Sequence, residues 1–137
     1  MSGAFFKCTN LIVAPETPLN AINLNSTFQG CISLLSAPSI IPDKVENMQN
    51  TFQDCTALKN TSIEIPVSVK NLRCAFANCE NITGSLKIYS ETNNFNDCFF
   101  NCSISTDCHL FLSGTSSVLN ELLKTKSSNS NITIVDI

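Results

Sequence analysis

Residues 41–58 read Ile41-Pro42-Asp43-Lys44-Val45-Glu46-Asn47-Met48-Gln49-Asn50-Thr51-Phe52-Gln53-Asp54-Cys55-Thr56-Ala57-Leu58, and residues 65–82 follow the same plan. The kernel of this stretch, Phe-x-x-Cys, occurs five times: Phe5/Cys8, Phe28/Cys31, Phe52/Cys55, Phe76/Cys79 and Phe99/Cys102. The cysteines step by 23, 24, 24 and 23 residues. A period of this length marks a solenoid, in which each repeat is one supersecondary unit stacked on the next. The period also accounts for five of the eight cysteines without invoking chemistry.

Working outward from the kernel, an apolar residue stands four positions before each phenylalanine: Met1, Leu24, Met48, Leu72 and Phe95. The resulting i, i+4, i+7 spacing predicts a short helical segment with three side chains on one face. The residue before each phenylalanine is small (Ala4, Thr27, Thr51, Ala75, Cys98), which lets successive turns approach closely. An aliphatic follows each of the first four cysteines, and then a proline-marked stretch: Ala14 to Pro18, Ala37 to Pro42, Ser62 to Pro66. Ile63-x-Ile65 and Leu86-x-Ile88 alternate as half-buried strands do. Each repeat therefore reads as strand, turn, short helix, turn. Asn23, Asn47, Asn71 and Asn94 share a column and are expected to bond turn backbone.

After Cys102 the register changes. His109 to Leu112 reads as a strand, and Ser113-Gly114-Thr115-Ser116 as a turn with a helix N-cap. Val118 to Leu123 reads as a helix, and Ile132 to Val135 as a last strand. The expected organisation is one α/β domain: about four and a half repeats over 1–103, with a parallel sheet on one side and helical turns on the other. A strand–helix–strand cap follows over 104–137. No comparable device precedes the first repeat, so Met1, Phe5 and Phe6 are expected to be exposed.

The string Ile-Pro-x-x-Val-x-Asn-Met/Leu-x-x-Thr/Ala-Phe-x-x-Cys-x-x-Leu, closest at 41–58 and 65–82, resembles the BspA-type leucine-rich repeat. The terminal strand, helix and Ile-Thr-Ile strand look like that family's usual ending. The resemblance covers essentially the whole chain. Where the family often has Ile-Gly, this chain has Asn-Leu or Asn-Met. The resemblance implies a curved solenoid used for binding, in surface or secreted proteins of bacteria and some protists that adhere to host proteins or neighbouring cells. It carries over no catalytic residues.

Composition narrows the function. The chain has 137 residues, 43% apolar and only 14% charged, with net charge −3. That balance, with eight scattered basic residues, argues against a nucleic-acid partner. No apolar run approaches the ~18 residues of a membrane helix. Met1 to Leu11 lacks the features of a secretion signal, so a cytoplasmic location stays open beside the surface one. The ladder cysteines are expected to be buried free thiols. Cys74, Cys98 and Cys108 lie off the ladder, and a Cys74–Cys98 disulfide is left open. The spacing of Cys98, Cys102, Cys108 and His109 lacks the paired short loops of structural zinc sites. His109 is the only histidine, and no nucleophile–base arrangement or phosphate loop can be argued. No cofactor and no enzymatic activity are expected.

The functional expectation is a protein-binding module that uses its exposed sheet face, with Glu16, Ile40, Glu64 and Lys87 as candidate contacts. The competing expectation is a self-associating protein that pairs through Met1, Phe5 and Phe6 into a symmetric homodimer. An intracellular interaction protein rich in free thiols is a third.

Overall fold

A computed structural model describes residues 1–135. The last two positions of the expected cap, Asp136 and Ile137, lie outside the described residues. The chain winds into a solenoid around a parallel sheet of four strands: β1 (Thr61–Ile65), β2 (Gly84–Ile88), β3 (Leu110–Ser113) and β4 (Ile132–Ile134), in that order. Three turns of the coil join them. A single short helix, α1 (Leu119–Leu123), lies between β3 and β4. The strand–helix–strand ending is thus as the sequence predicts.

The strands form where alternation is cleanest. Ile63 and Ile65 of β1, Leu86 and Ile88 of β2, and Leu110 and Leu112 of β3 all point inward. They stack in register, Ile63 against Leu86 and Leu86 against Leu112. Gly84 is required at its place: its φ is +106°, and a Cβ there would collide with the backbone of Thr61. The strands expected at Ala14 to Pro18 and Ala37 to Pro42 do not form. Only an isolated bridge, Val13 with Ser36, stands in that column. The cause is Pro15 and Pro38, which fall inside the positions equivalent to β1 and have no N–H for the ladder, whereas Pro18 and Pro42 align with Pro66 just beyond β1.

The opposite side of the coil corrects the helical expectation. The segments around Phe5, Phe28, Phe52, Phe76 and Phe99 are successions of tight turns with no helix. Two positions per repeat adopt left-handed backbone. One column is Gly3, Ser26, Asn50, Cys74 and Asp97, with φ of 63, 54, 56, 52 and 56°. The other, just before each cysteine, is Lys7, Gly30, Asp54, Asn78 and Asn101, with φ of 55, 75, 62, 61 and 50°. A left-handed residue every fourth position cannot continue a right-handed helix.

These turns have a fixed polarity. In the third repeat Thr51 N–H bonds back to Met48 and Cys55 N–H to Phe52, closing local turns. The intervening N–H groups of Met48, Asn50, Phe52 and Asp54 donate to Asn71, Arg73, Ala75 and Ala77 of the next repeat, at 2.9 Å each. The second and fourth repeats do the same, so the turn-side N–H groups point along the axis toward the C-terminal end. Asn23, Asn47 and Asn71 accept the N–H two residues on, at 2.8, 2.9 and 3.0 Å, as expected for that column. Asn94 departs from it, and Thr92 Oγ1 instead accepts the Asn94 N–H.

Inside the turns the phenylalanines form one continuous stack. Ring centroids are 5.5, 5.6, 5.5 and 5.9 Å apart from Phe5 through Phe99. Phe28, Phe52, Phe76 and Phe99 are fully buried, each contributing about 1.5–3 kcal/mol by burial. The ladder cysteines do more than fill space. Cys31, Cys55 and Cys79 donate S–H to the carbonyls of Phe5, Phe28 and Phe52, at 3.0, 3.1 and 3.0 Å. Thr27 and Thr51 tie successive turns similarly through Met1 and Leu24 carbonyls. Cys8 is exposed, contrary to expectation, and its thiol has no carbonyl partner among the described residues.

The cap closes the donor end with side chains. Thr125 Oγ1 accepts Phe99 N–H at 3.0 Å, and Ser127 Oγ accepts Asn101 N–H at 2.9 Å. Two hydroxyls thus stand where the next repeat's carbonyls would be. The N-cap of α1 is Val118, with no side-chain cap, in place of the expected serine. Ser116 Oγ instead donates to the Ser90 carbonyl and accepts the Val118 N–H.

Candidate functional site

On the sheet side the strands present a regular set of outward side chains. β1 presents Ser62 and Glu64, β2 Ser85 and Lys87, β3 Phe111, and β4 Thr133. In-register pairing sets Glu64 beside Lys87, with Nζ 3.6 Å from Oε1. Both groups are well solvated, so the pair contributes at most about 1 kcal/mol. The same register sets Ser85, Phe111 and Thr133 in one row. His109 stands two residues before Phe111, just ahead of β3, and reaches across to that row. Its ring stacks on Phe111 at 4.4 Å, and its Nε2 lies 3.0 Å from Thr133 Oγ1.

Where the strands end, the chain turns at Pro42, Pro66 and Ser90, and a groove of about 860 Å³ runs along the coil axis. Its apolar surface includes Ile40, Val67 and Tyr89, and its carboxylates are Asp43, Glu64 and Glu91. Ile40 is 57% and Val67 72% exposed, and both border the same groove. Glu91 is fixed in orientation. Both carboxylate oxygens accept the Ser117 N–H, at 3.0 and 3.1 Å, and one also accepts the Ser117 hydroxyl. These bonds hold its carboxyl below the usual carboxylate range.

The structure brings three of the four sheet-face candidates, Ile40, Glu64 and Lys87, to or beside this groove. Glu16 does not line the groove but holds one of its residues: its carboxylate accepts the N–H and hydroxyl of Ser39, a clamp between repeats equivalent to Glu91 on Ser117. Sequence reasoning missed Val67, Tyr89 and Glu91. A signal existed, because Leu19, Asp43, Val67 and Glu91 occupy one exposed column that changes chemistry at every repeat. At the N-terminal end Met1 and Phe5 are half-buried, Phe5 by its stack on Phe28, while Phe6 is 47% exposed with Lys7 Nζ 5.2 Å above its ring.

The thiols are arranged for packing. All eight cysteines are free, so Cys74 and Cys98 are not joined. Burial pushes the thiols of Cys55, Cys79, Cys98 and Cys102 well above their ordinary range. Among the described residues no group of three His, Cys, Asp or Glu side chains is placed to hold a metal ion. No described helix is long and apolar enough to cross a membrane. Comparison with known protein families, with curated proteins and with solved structures finds no match to this chain.

Proposed function

We propose that this chain is a non-catalytic, protein-binding module of leucine-rich-repeat type, meeting its partner with the sheet face and the groove at the strand ends. The observation that carries this reading is the asymmetry of the coil. Turn-side backbone and core columns are committed to stacking, whereas Ser62, Ser85, Lys87, Phe111 and Val67 lie on the sheet side outside the stacking columns. A rigid scaffold with freely variable outward positions is how repeat proteins build binding surfaces. The resemblance to BspA-type repeats supports an adhesin-like role, with a host or neighbouring-cell surface protein as partner.

The test is site-specific photo-crosslinking to a cell-surface protein fraction from Ser62 and Ser85 on the sheet side and from Gln53 on the turn side. One defined adduct from the sheet positions, with the isolated partner binding more weakly to Phe111→Ala, is the expected result. Adducts from Gln53 alone would overturn the reading.

A second reading, self-association through the first repeat, is favoured by the exposure of Phe6, Ile12, Val13, Leu19 and Ile22 near that end. Its geometry is constrained by the turn polarity. The carbonyls of Ser2, Ala4 and Phe6 occupy the acceptor positions of the first turn and receive no backbone hydrogen bond among the described residues. A two-fold dimer would set acceptors against acceptors, so pairing there must rest on apolar side chains. Light scattering that finds a monomer at all concentrations would sink it.

A further inference from the structure

The groove at the strand ends combines exposed aliphatic surface with charge of one sign. Asp43, Glu64 and Glu91 line it, and none of the described residues lining it is a lysine or arginine. Lys87, at its edge, is already engaged by Glu64. Asp43 makes no salt bridge among the described residues. Glu91 is oriented by the Ser117 hydroxyl and N–H, so its charge is held in place before any ligand arrives. The remaining negative field favours a cation, and Ile40, Val67 and Tyr89 offer apolar contact between the charges.

The dimensions fit a peptide. The groove crosses four successive turns of the coil, which at about 4.8 Å per turn span about 14 Å. An extended chain covers that length with about four or five residues and places alternate side chains on one side. We propose that the groove is a docking site for an extended protein segment carrying lysine or arginine next to aliphatic or aromatic residues. This rests on the reading of the chain as a protein-binding module and names the chemistry of the partner.

The experiment titrates the isotope-labelled full chain with three synthetic hexapeptides that alternate leucine with lysine, serine or glutamate, following backbone amide shifts by NMR. The expected result is binding of the lysine peptide, with shifts centred on Ile40, Val67 and Tyr89. Its affinity should exceed those of the serine and glutamate peptides at least tenfold, and should fall as salt shortens the screening length. The Asp43→Asn variant, which leaves the Glu64–Lys87 pair in place, should lose several-fold in affinity with an otherwise unchanged spectrum, and Val67→Ser should weaken binding without changing the charge preference. No binding of the lysine peptide, equal binding of all three peptides, or shifts that avoid the groove would overturn the inference. Those outcomes leave the sheet-side module standing. That reading falls only on the separate crosslinking result, so the two failures are distinguishable.

Discussion

Replacing Asp54 by glycine and by alanine distinguishes the tight-turn geometry from the helix that the apolar spacing alone predicts. Asp54 has φ of 62° and accepts a 2.6 Å hydrogen bond from Asn78 Nδ2. Both substitutions delete that bond, so the difference between them isolates the backbone. Alanine in left-handed conformation costs roughly 1–2 kcal/mol. Glycine avoids that cost but gains about 0.4–1 kcal/mol of unfolded-state entropy. Asp54→Gly should therefore be more stable than Asp54→Ala by roughly 0.5–1 kcal/mol. In a helix the order reverses, with alanine ahead by about 1 kcal/mol. Urea unfolding resolves the difference as a midpoint shift of about 0.4 M for a slope near 2 kcal/mol/M. Gln53 is the control, since its φ is not left-handed and alanine should win there. Alanine at Asp54 equal to or better than glycine would refute the turn geometry.

Phe52→Ala, in the middle of the aromatic stack, should cost about 3–5 kcal/mol. Phe5→Ala, half-buried with one stacking neighbour, should cost clearly less; equal losses in urea unfolding would contradict the stack. Buried thiols whose folded pKa is raised release protons more readily when unfolded, so stability is whole below the unfolded value near 8.5 and declines as pH rises above it. The decline should reach about 1.4 kcal/mol per pH unit for each of Cys55, Cys79, Cys98 and Cys102, and Cys55→Ala should reduce the slope. Stability that stays flat to about pH 10 would count against it. The cap variant Thr125→Val/Ser127→Ala leaves the N–H groups of Phe99 and Asn101 without acceptors and should lose about 1–3 kcal/mol per orphaned group. Faster amide exchange at those two residues is the direct readout.

Much of the fold is legible because stacking repeats itself. The Phe and Cys columns mark the period, and alternation at Ile63/Ile65 and Leu86/Ile88 marks β1 and β2. The turns escape because an i, i+4, i+7 pattern states which side chains face inward without stating how the backbone gets there. The needed signal lay between the apolar positions. Gly30, Asp54, Asn78 and Asn101 are residue types that tolerate left-handed backbone, but Lys7 dilutes that column and Cys74 dilutes the other. The hydroxyl caps are single substitutions of oxygen for carbonyl, with no periodicity to betray them. The groove is harder still, because it is assembled from side chains in different repeats and depends on where each strand stops.

That difference in legibility reflects a difference in constraint. A turn-side position must satisfy its own backbone angle and a neighbour on either side, so its column converges on a few residue types. Phe28, Phe52 and Phe76 are the clearest case, each sandwiched between two rings. An outward position beside the strands carries no such common constraint, and its column holds Leu19, Asp43, Val67 and Glu91 in succession, of which Glu91 alone clamps a neighbouring repeat among the described residues. Polar residues there cost nothing to stacking, and exposed aliphatics gain nothing from it. The exposure of Val67 and Ile40, like that of Leu19 and Val13, is therefore not set by stacking. Under the docking proposal, a partner that covers Val67 and Ile40 and neutralises Asp43 and the oriented Glu91 gives that exposure a role, with recognition at the strand ends of the coil.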